Sequence, residues 1–325
     1  MARPLCTLIH ISDPHFGPVF ENEDDTSWTE YLAGIPGLAL LQGLLPHDYQ
    51  VACNLAQAIR TIRIYLEDEK IPCVVVHTGD LTATGSKREF VVGGTFLYSG
   101  HVIGMRRDTL RPIYAGLMLD HSNDRPFDIP GNHDLWSRGS PKDHTAFTHH
   151  YGGVYPRVRR VEIEGKTVIL YGLDSNRSTY MNHFLANGEI APEAIQSLLA
   201  DLKQGRADRA IQVVCLHHPL FECEAGQTNG QLQTLTLKNR ESIAKALAEA
   251  GADLVLAGHV HSQTWTNRSP GMPLHFVAGS ACQKGAQRPS FWKLDVFPDS
   301  VHYTYFHMPE TAYDFRISAS GKAEF

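Results

Sequence analysis

Apolar residues along the chain follow two different periods. Near-continuous, β-rich runs recur at residues 5–11 (LCTLIHI), 73–77 (CVVVH), 166–173 (KTVILYGL), 211–216 (IQVVCL) and 252–257 (ADLVLA). Runs of this kind predict strands covered on both faces, as in sheets sandwiched by helices. Between them the period becomes helical. Residues 50–69 place Leu55, Ile59, Ile62 and Leu66 on one stripe, and residues 192–203 open on a proline and carry Ile195, Leu198 and Leu199 on one face. Residues 239–250 read as a third helix, stopped by Gly251. The last third, at 274–279, 291–297 and 301–307, is strand-like, with alternation clearest in VHYTYFHM. This order of elements predicts a layered α/β sandwich.

Two stretches depart from that plan. Residues 17–49 are interrupted by Gly and Pro, acidic at ENEDD, and carry Trp28, Tyr31 and a Leu-rich patch at Leu38–Leu45. Residues 91–124 hold Gly93, Gly94, Gly100 and Gly104 before the basic cluster MRRDTLR. Both are expected to be long loops or a cap inserted into one domain spanning residues 1–325. Connections this long are usually functional.

The chemistry lies in five short polar clusters, four of them close behind an apolar run. They are Asp13-Pro14-His15, Gly79-Asp80, Gly131-Asn132-His133-Asp134, His217-His218-Pro219 and Gly258-His259-Val260-His261. In open α/β sheets the ligand-binding groups collect at the carboxyl ends of strands, so five such clusters can converge on one cleft. In D-x-H and H-x-H the polar residues are two apart, and an extended backbone would point both side chains the same way. Carboxylate, imidazole and amide oxygen together suit divalent first-row metals such as Mn, Fe, Co, Ni or Zn. Two metals about 3.5–4 Å apart need a bridging carboxylate, and Asp80, alone in its motif, is the natural bridge. Any one cluster has an ordinary explanation as a turn, cap or strand exit; the ordered set of five does not.

Composition sharpens this picture at three points. Eighteen histidines are an excess that metal ligation would explain. A formal charge of -6 and the absence of a basic tract disfavour nucleic acid as a partner. The six cysteines (Cys6, Cys53, Cys73, Cys215, Cys223, Cys282) form no C-x-x-C pair, and Cys73 and Cys215 fall in runs expected to be buried. With no stretch of about 18 apolar residues and no signal-peptide pattern, no membrane span is expected and a reducing cytoplasm is the expected compartment.

The ordered set resembles the calcineurin-like metallophosphoesterase superfamily, whose pattern is D-x-H, G-D, G-N-H-[DE], a later His, and G-H-x-H. The resemblance implies a four-layer α/β/β/α sandwich with two bound metal ions. It implies that Asp13, His15 and His261 bind one metal and that Asn132, His217 and His259 bind the other, with Asp80 between them. His133 would contact the phosphoryl group and protonate the leaving oxygen, with Asp134 orienting it. The implied reaction is attack on phosphorus by a metal-bound hydroxide.

The substrate is expected to be a small phosphate ester. Gly172-Leu173-Asp174-Ser175-Asn176, then Gly188-Glu189-Ile190, and His-His-Pro in place of Gly-His-x-Pro resemble the branch holding class III cyclic-nucleotide phosphodiesterases and glycerophosphodiesterases. A small phosphodiester is therefore favoured. A DNA nuclease, a phosphomonoesterase, a hydrolase of nucleotide-linked lipid and a metal-stabilised binding scaffold without turnover stay open as alternatives. His218 is expected to be structural or to support the ligands from behind; His144, His149 and His150 are read as surface residues ahead of a lining of the cleft mouth, and Arg106, Arg107 and Arg111 as a solvated basic face ahead of a phosphate-binding group. The Leu38–Leu45 patch reads either as a dimer surface of a homo-oligomer or as packing against the chain's own core.

Overall fold

The structure, a computed structural model, describes residues 3–17, 49–99, 104–105, 112–113, 116–119, 125–136, 145–177, 187–221, 237–266, 272–282, 288–309 and 314–325. The expectations for Trp28, Tyr31, Leu38–Leu45, Arg106, Arg107, Arg111, His144 and Cys223 lie outside the described residues.

Two six-stranded mixed sheets make up the centre. In chain order their strands are β1 (Cys6–Ile11), β2 (Cys73–His77), β5 (Phe127–Asp128), β6 (Arg157–Ile163), β7 (Lys166–Gly172), β8 (Ile211–Cys215), β9 (Leu254–Ala257), β10 (Thr264–Thr266), β11 (Leu274–Val277), β12 (Ser290–Val296), β13 (Ser300–His307) and β14 (Arg316–Glu324). The first sheet runs β14-β13-β12-β1-β2-β5 and the second β10-β11-β9-β8-β7-β6. A small ribbon, β3 (Gly104–Met105) with β4 (Pro112–Ile113), stands apart within the expected 91–124 insertion.

Three apolar layers hold the sandwich together, which is what the buried-strand pattern requires. Leu8, Val76 and Leu294 of the first sheet meet Leu170, Val213, Leu256 and Phe276 of the second. The alternate residues of β1, Ile9 and Ile11, turn outward to three helices: α1 (Tyr49–Asp68), α2 (Lys87–Tyr98) and α3 (Thr145–Tyr151). On the far side Ile169, Val214 and Val255 are covered by α4 (Pro192–Ala207) and α5 (Arg240–Ala250). Helix, sheet, sheet and helix therefore stack in that order, as expected. Pro192 stands at the first turn of α4, and Gly251 closes α5 at φ 101°.

The helix α2 departs from the expected loop, since residues 91–98 form its last two thirds. Its start is a capping box: Ser86 accepts from the Glu89 backbone N–H, and the Glu89 carboxylate accepts from the Ser86 N–H. The S-x-x-E spacing was a readable helix-start signal; the two mid-helix glycines obscured it. Cys73 is also only half-buried, at the start of β2, whereas Cys215 is fully buried.

Gly93 and Gly94 are adjacent but meet different surroundings. A methyl group on Gly93 would lie 2.7 Å from Cγ of the buried Leu81, whereas one on Gly94 would meet the His150 Cε1 at 3.4 Å, an ordinary contact. Gly→Ala in a helix otherwise gains about 0.5–1 kcal/mol. Gly94→Ala is thus expected to raise stability by roughly that amount, and Gly93→Ala to lower it by about 1–3 kcal/mol through overpacking. Urea unfolding of the two variants beside the parent checks the opposite signs.

Candidate metal centre

The five polar clusters sit at the carboxyl ends of parallel strands. Asp13, Asp80 and Asn132 follow β1, β2 and β5, which run parallel, while His217 and His259 follow β8 and β9, also parallel. β5 has only two residues, so no apolar run announced it. Backbone hydrogen bonds continue past the strand ends: the Asp13 N–H donates to the Gly79 carbonyl and the His15 N–H to that of Asp80, each at 3.0 Å. Between the sheets, the His259 N–H donates to Asp13 Oδ2 at 2.9 Å. Gly258 permits this approach, because a Cβ there would stand 1.8 Å from Ser12 Oγ.

The side chains do not converge in the way an extended backbone would bring them together. Asp13, His15, Asp80, His259 and His261 all have positive φ, between 48° and 72°. Non-glycine residues in this region cost about 1–3 kcal/mol each where the surrounding structure must hold them, and such residues cluster at functional sites. D-x-H and H-x-H therefore aim through left-handed backbone, which corrects the expectation drawn from strand alternation.

All seven expected ligands come together in two adjoining groups. His15 Nε2 and His261 Nε2 are 2.8 Å apart, and Asp13 Oδ1 lies 3.7 and 3.4 Å from them respectively. His217 Nε2 lies 3.1 Å from Asn132 Oδ1, 3.1 Å from His259 Nδ1 and 3.3 Å from Asp80 Oδ2. Asp80 Oδ2 is also 3.7 Å from His15 Nε2, so one carboxylate faces both groups. Asp13, His15, Asp80, Asn132, His217 and His259 are buried, and His261 is half-buried.

The donor chemistry fits a pair of cations. The Nδ1 of His217 is 2.7 Å from the Thr78 carbonyl and must be its N–H, which leaves Nε2 as a lone pair in the neutral ring. That lone pair faces an amide oxygen and a carboxylate oxygen. Such a convergence of acceptors is repulsive until a proton or a cation enters it. Burial opposes charge on His217, but the Asp80 carboxylate outweighs it and the ring is pushed up to about 9. Burial lowers His259 to about 3, with the neighbouring His217 adding to the effect. Burial would raise the carboxyls of Asp13 and Asp80, yet the surrounding histidines hold both well below the usual range.

The calcineurin-like phosphoesterase family model matches residues 6–263, which includes every one of these positions. The chain belongs to this family. No curated protein sequence matches it. Among solved structures it is similar to a dimetal phosphatase from Danio rerio, at 14% identity and TM-score 0.53 over 99% of both chains. It is also similar to GAP50 of Plasmodium, the anchor in the inner membrane complex, at 10% identity and TM-score 0.54 over 99% of this chain and 90% of that one. Purple acid phosphatase PPD1 from yellow lupin, Lupinus luteus, gives 12% identity and TM-score 0.57 over 99% of this chain and 54% of that one. At such identities the likeness is one of fold. Family membership makes this a metallophosphoesterase.

One residue of the phosphoesterase motif, Asp134, is arranged differently from expectation. The His133 ring is half-buried, its Nδ1 2.9 Å from the Ala83 carbonyl and its Nε2 3.9 Å from Asp80 Oδ2. Asp134, expected to orient His133, turns away from it. Its carboxylate accepts from the Thr82 N–H and Oγ1 and the Gly131 N–H, each at 2.9 Å, and from the Leu81 N–H at 3.4 Å. Asp134 therefore ties the Gly131 and Leu81–Thr82 segments together and reaches His133 only through the loop bearing Ala83.

His218 supports the phosphoesterase centre from behind, as expected. Its ring is buried, centred 4.4 Å from that of His259, and its Nδ1 is 2.7 Å from Ser175 Oγ. Asn176 donates to the Pro130 carbonyl at 3.1 Å, joining the end of β7 to the Asn132 loop.

A buried group beside the centre went unread in the sequence. The Asp128 carboxylate accepts from His77 Nδ1 at 2.7 Å, Tyr98 OH at 2.6 Å, His150 Nε2 at 3.1 Å and Tyr151 OH at 3.3 Å. His149 is exposed as expected, but His150 belongs to this cluster. Asp128 stands three residues before the Gly131-Asn132-His133-Asp134 cluster but outside it, and only the excess of histidines hinted at such a partner.

Burial would raise the Asp128 carboxyl, yet its hydrogen bonds to His150 and His77 depress it. A depressed carboxyl contributes its full stability above the unfolded-state value of about 3.9 and loses it as the pH falls toward the folded value. Asp128→Asn is expected to cost about 2–4 kcal/mol at pH 7. The difference from the parent should narrow progressively below pH 4. Urea midpoints at pH 7, 5 and 3 measure this, and a gap unchanged at pH 3 would contradict the assignment.

Proposed function

We propose that this metallophosphoesterase is a dimetal phosphodiesterase acting on a small phosphodiester, of the cyclic-nucleotide or glycerophosphodiester kind. The observation that carries the metal-dependent reading is the single buried carboxylate, Asp80, facing both ligand groups. On this reading Asp13, His15 and His261 hold one cation, Asn132, His217 and His259 the other, and Asp80 joins them. Divalent cations held there would neutralise phosphoryl charge and activate water for attack on phosphorus.

The chain's own residues supply the rest. The low-polarity surroundings strengthen each charge contact, and the protein's dipoles are in place before reaction. The Ala83 carbonyl engages His133 Nδ1, so Nε2 is the ring nitrogen left for the phosphoryl group and the leaving oxygen. No protein nucleophile is needed, so solvent oxygen should appear in the product phosphate.

The preference for a diester rests on Asp174-Ser175-Asn176 and Gly188-Glu189-Ile190, which form one packed unit. The Glu189 N–H donates to the Ser175 carbonyl at 2.8 Å, and Gly188 lies against the His218 ring. A monoester is the second reading, since two of the fold relatives are named phosphatases. The GAP50 likeness raises a scaffold without turnover; a ligand set with all seven positions filled weighs against it. No helix among the described residues is long and apolar enough to cross a membrane.

The test compares bis-p-nitrophenyl phosphate with p-nitrophenyl phosphate, with Mn, Fe, Co, Ni or Zn added. Metal-dependent turnover favouring the diester is expected, with loss on chelation and recovery on metal return. Asp80→Asn should lower kcat by about 100-fold or more. Full activity in that variant would exclude the joining role, and no turnover with any metal would favour the scaffold.

A further inference from the structure

His133 is adjacent to a ligand residue; its backbone N–H donates to Asp80 Oδ1 at 2.8 Å and its Nε2 lies 3.9 Å from Asp80 Oδ2, but neither contact fixes the plane of the ring. Asp134 does not touch it. One edge of the ring is fixed by the Ala83 carbonyl at 2.9 Å, and the His15 ring meets it edge-on with centroids 4.6 Å apart. The remaining side is covered by Trp136, whose ring centroid lies 3.7 Å from that of His133 at an interplanar angle of 35°. This is a close tilted stack, at the short end of aromatic contacts.

The backbone of Trp136 is itself held firmly. Its backbone N–H donates to the His133 carbonyl at 3.1 Å, closing the short 3-10 turn His133–Leu135. Gly85 packs onto the next carbonyls: a Cβ there would stand 2.6 Å from the Asp134 oxygen and 2.9 Å from the Trp136 oxygen. The loop that supplies Ala83 and the turn that supplies Trp136 are thus locked together. Between them they define both the plane of the imidazole and which of its nitrogens faces inward.

We propose that Trp136 is a positioning residue for His133, its indole face confining the imidazole to the orientation in which Nδ1–H meets the Ala83 carbonyl and Nε2 faces the metal centre. The inference rests on the phosphodiesterase reading for its catalytic consequence, but the geometry can be tested without it. Without the indole, the ring is free to rotate about its side-chain bonds into the space left behind. The Nε2–H of the protonated ring, which gives its proton to the leaving oxygen while Nδ1–H stays on the Ala83 carbonyl, is then aligned only part of the time. The effect falls on the step that needs a proton delivered, and substrate binding and metal binding are left nearly as they were.

Two variants and two readouts decide it. Trp136→Ala should lower kcat about 10- to 100-fold for a diester with a poor leaving group, such as a dialkyl phosphate that releases an alkoxide. For a p-nitrophenyl diester, whose leaving group needs little protonation, the loss should be only a few-fold, with KM and metal content unchanged. Trp136→Phe, which keeps an aromatic face, should recover most of the loss. A rise in KM alone would make Trp136 a substrate platform, and an equal loss for both leaving groups would make its role merely structural; either result overturns the proposal.

The second readout is imidazole 15N NMR of the metal-free full chain at pH 8. His133, assigned by its loss in His133→Gln, should show the Nδ1–H tautomer with ring protons shifted upfield by the indole. Trp136→Ala should give mixed tautomers, and Trp136→Phe should return the single one. An unshifted His133 in the parent, or one tautomer retained in Trp136→Ala, overturns the proposal whether or not the chain turns over any ester. If the parent is inactive but these NMR changes occur, the phosphodiesterase reading fails and the positioning role stands.

Discussion

Two carboxylates, Asp13 and Asp80, are buried at the place where two sheets end, and the rest of the molecule is arranged around that fact. An isolated buried carboxylate is so unfavourable that it either takes up a proton or acquires compensating partners. Here the partners include the imidazoles of His15, His217 and His261, brought in from three strand ends, and the backbone N–H of His259. Burial keeps His15 and His259 toward the neutral form, while the Asp80 carboxylate favours the protonated form of His217. Cations in the same positions would satisfy the carboxylates and the imidazole lone pairs together, which protons cannot do. Oxygen and nitrogen atoms aimed at common points have that property, and hydrogen-bonded networks within a core do not, because there each acceptor faces a donor.

That arrangement demands a rigid frame, and the fold provides it from both sides. Parallel strands deliver their carboxyl ends to one edge, where backbone hydrogen bonds from Asp13 to Gly79 and from His15 to Asp80 extend the register into the loops. The residues there hold left-handed backbone that few side chains tolerate, at Asp13, His15, Asp80, His259 and His261. Such strain persists only where surrounding packing leaves no alternative. The apolar layers under α1–α3 and under α4–α5 supply it, as does the inter-sheet layer of Leu8, Val76, Leu170 and Phe276. The Asp128 cluster adds a polar tie at β2 and β5, the strands that precede Asp80 and Asn132.

How much of this was legible in the sequence depends on the length of the signal. Strands buried on both faces write long apolar runs, so β1, β2, β7, β8 and β9 were readable nearly to the residue. The ligand set was readable because five clusters kept their order behind those runs. A two-residue strand such as β5 writes no pattern, and α2 was hidden by Gly93 and Gly94 although the Ser86–Glu89 box marked its start. Asp128, His77 and His150 were invisible for a different reason: they are distant in sequence and meet only through the packing of α2 and α3 on the first sheet. The left-handed ligand backbone was likewise beyond a reading based on strand alternation, since it arises after the strands have ended.

Asp134 shows why the role of a conspicuous charge is hard to infer from its neighbours in the chain. Beside His133 it invites the reading of a carboxylate that orients an imidazole. It sits instead among three buried backbone N–H groups and the Thr82 hydroxyl, donors that would otherwise lack partners where the Asp80 loop meets the Asn132 loop. Leaving buried donors unpaired costs about 1–3 kcal/mol each, so a carboxylate there contributes most as an acceptor for several donors at once. Burial and the nearby Asp80 push it up to about 6, so its negative charge is disfavoured beside the centre. A full negative charge directed at His133 would also compete with Asp80 for that imidazole and draw it away from the substrate side. A neutral carbonyl at Ala83 and an apolar indole face at Trp136 hold the ring without that competition. His133 thus meets the Asp80 carboxylate at its backbone N–H and 3.9 Å from Nε2, and uncharged groups at Nδ1 and on its ring face.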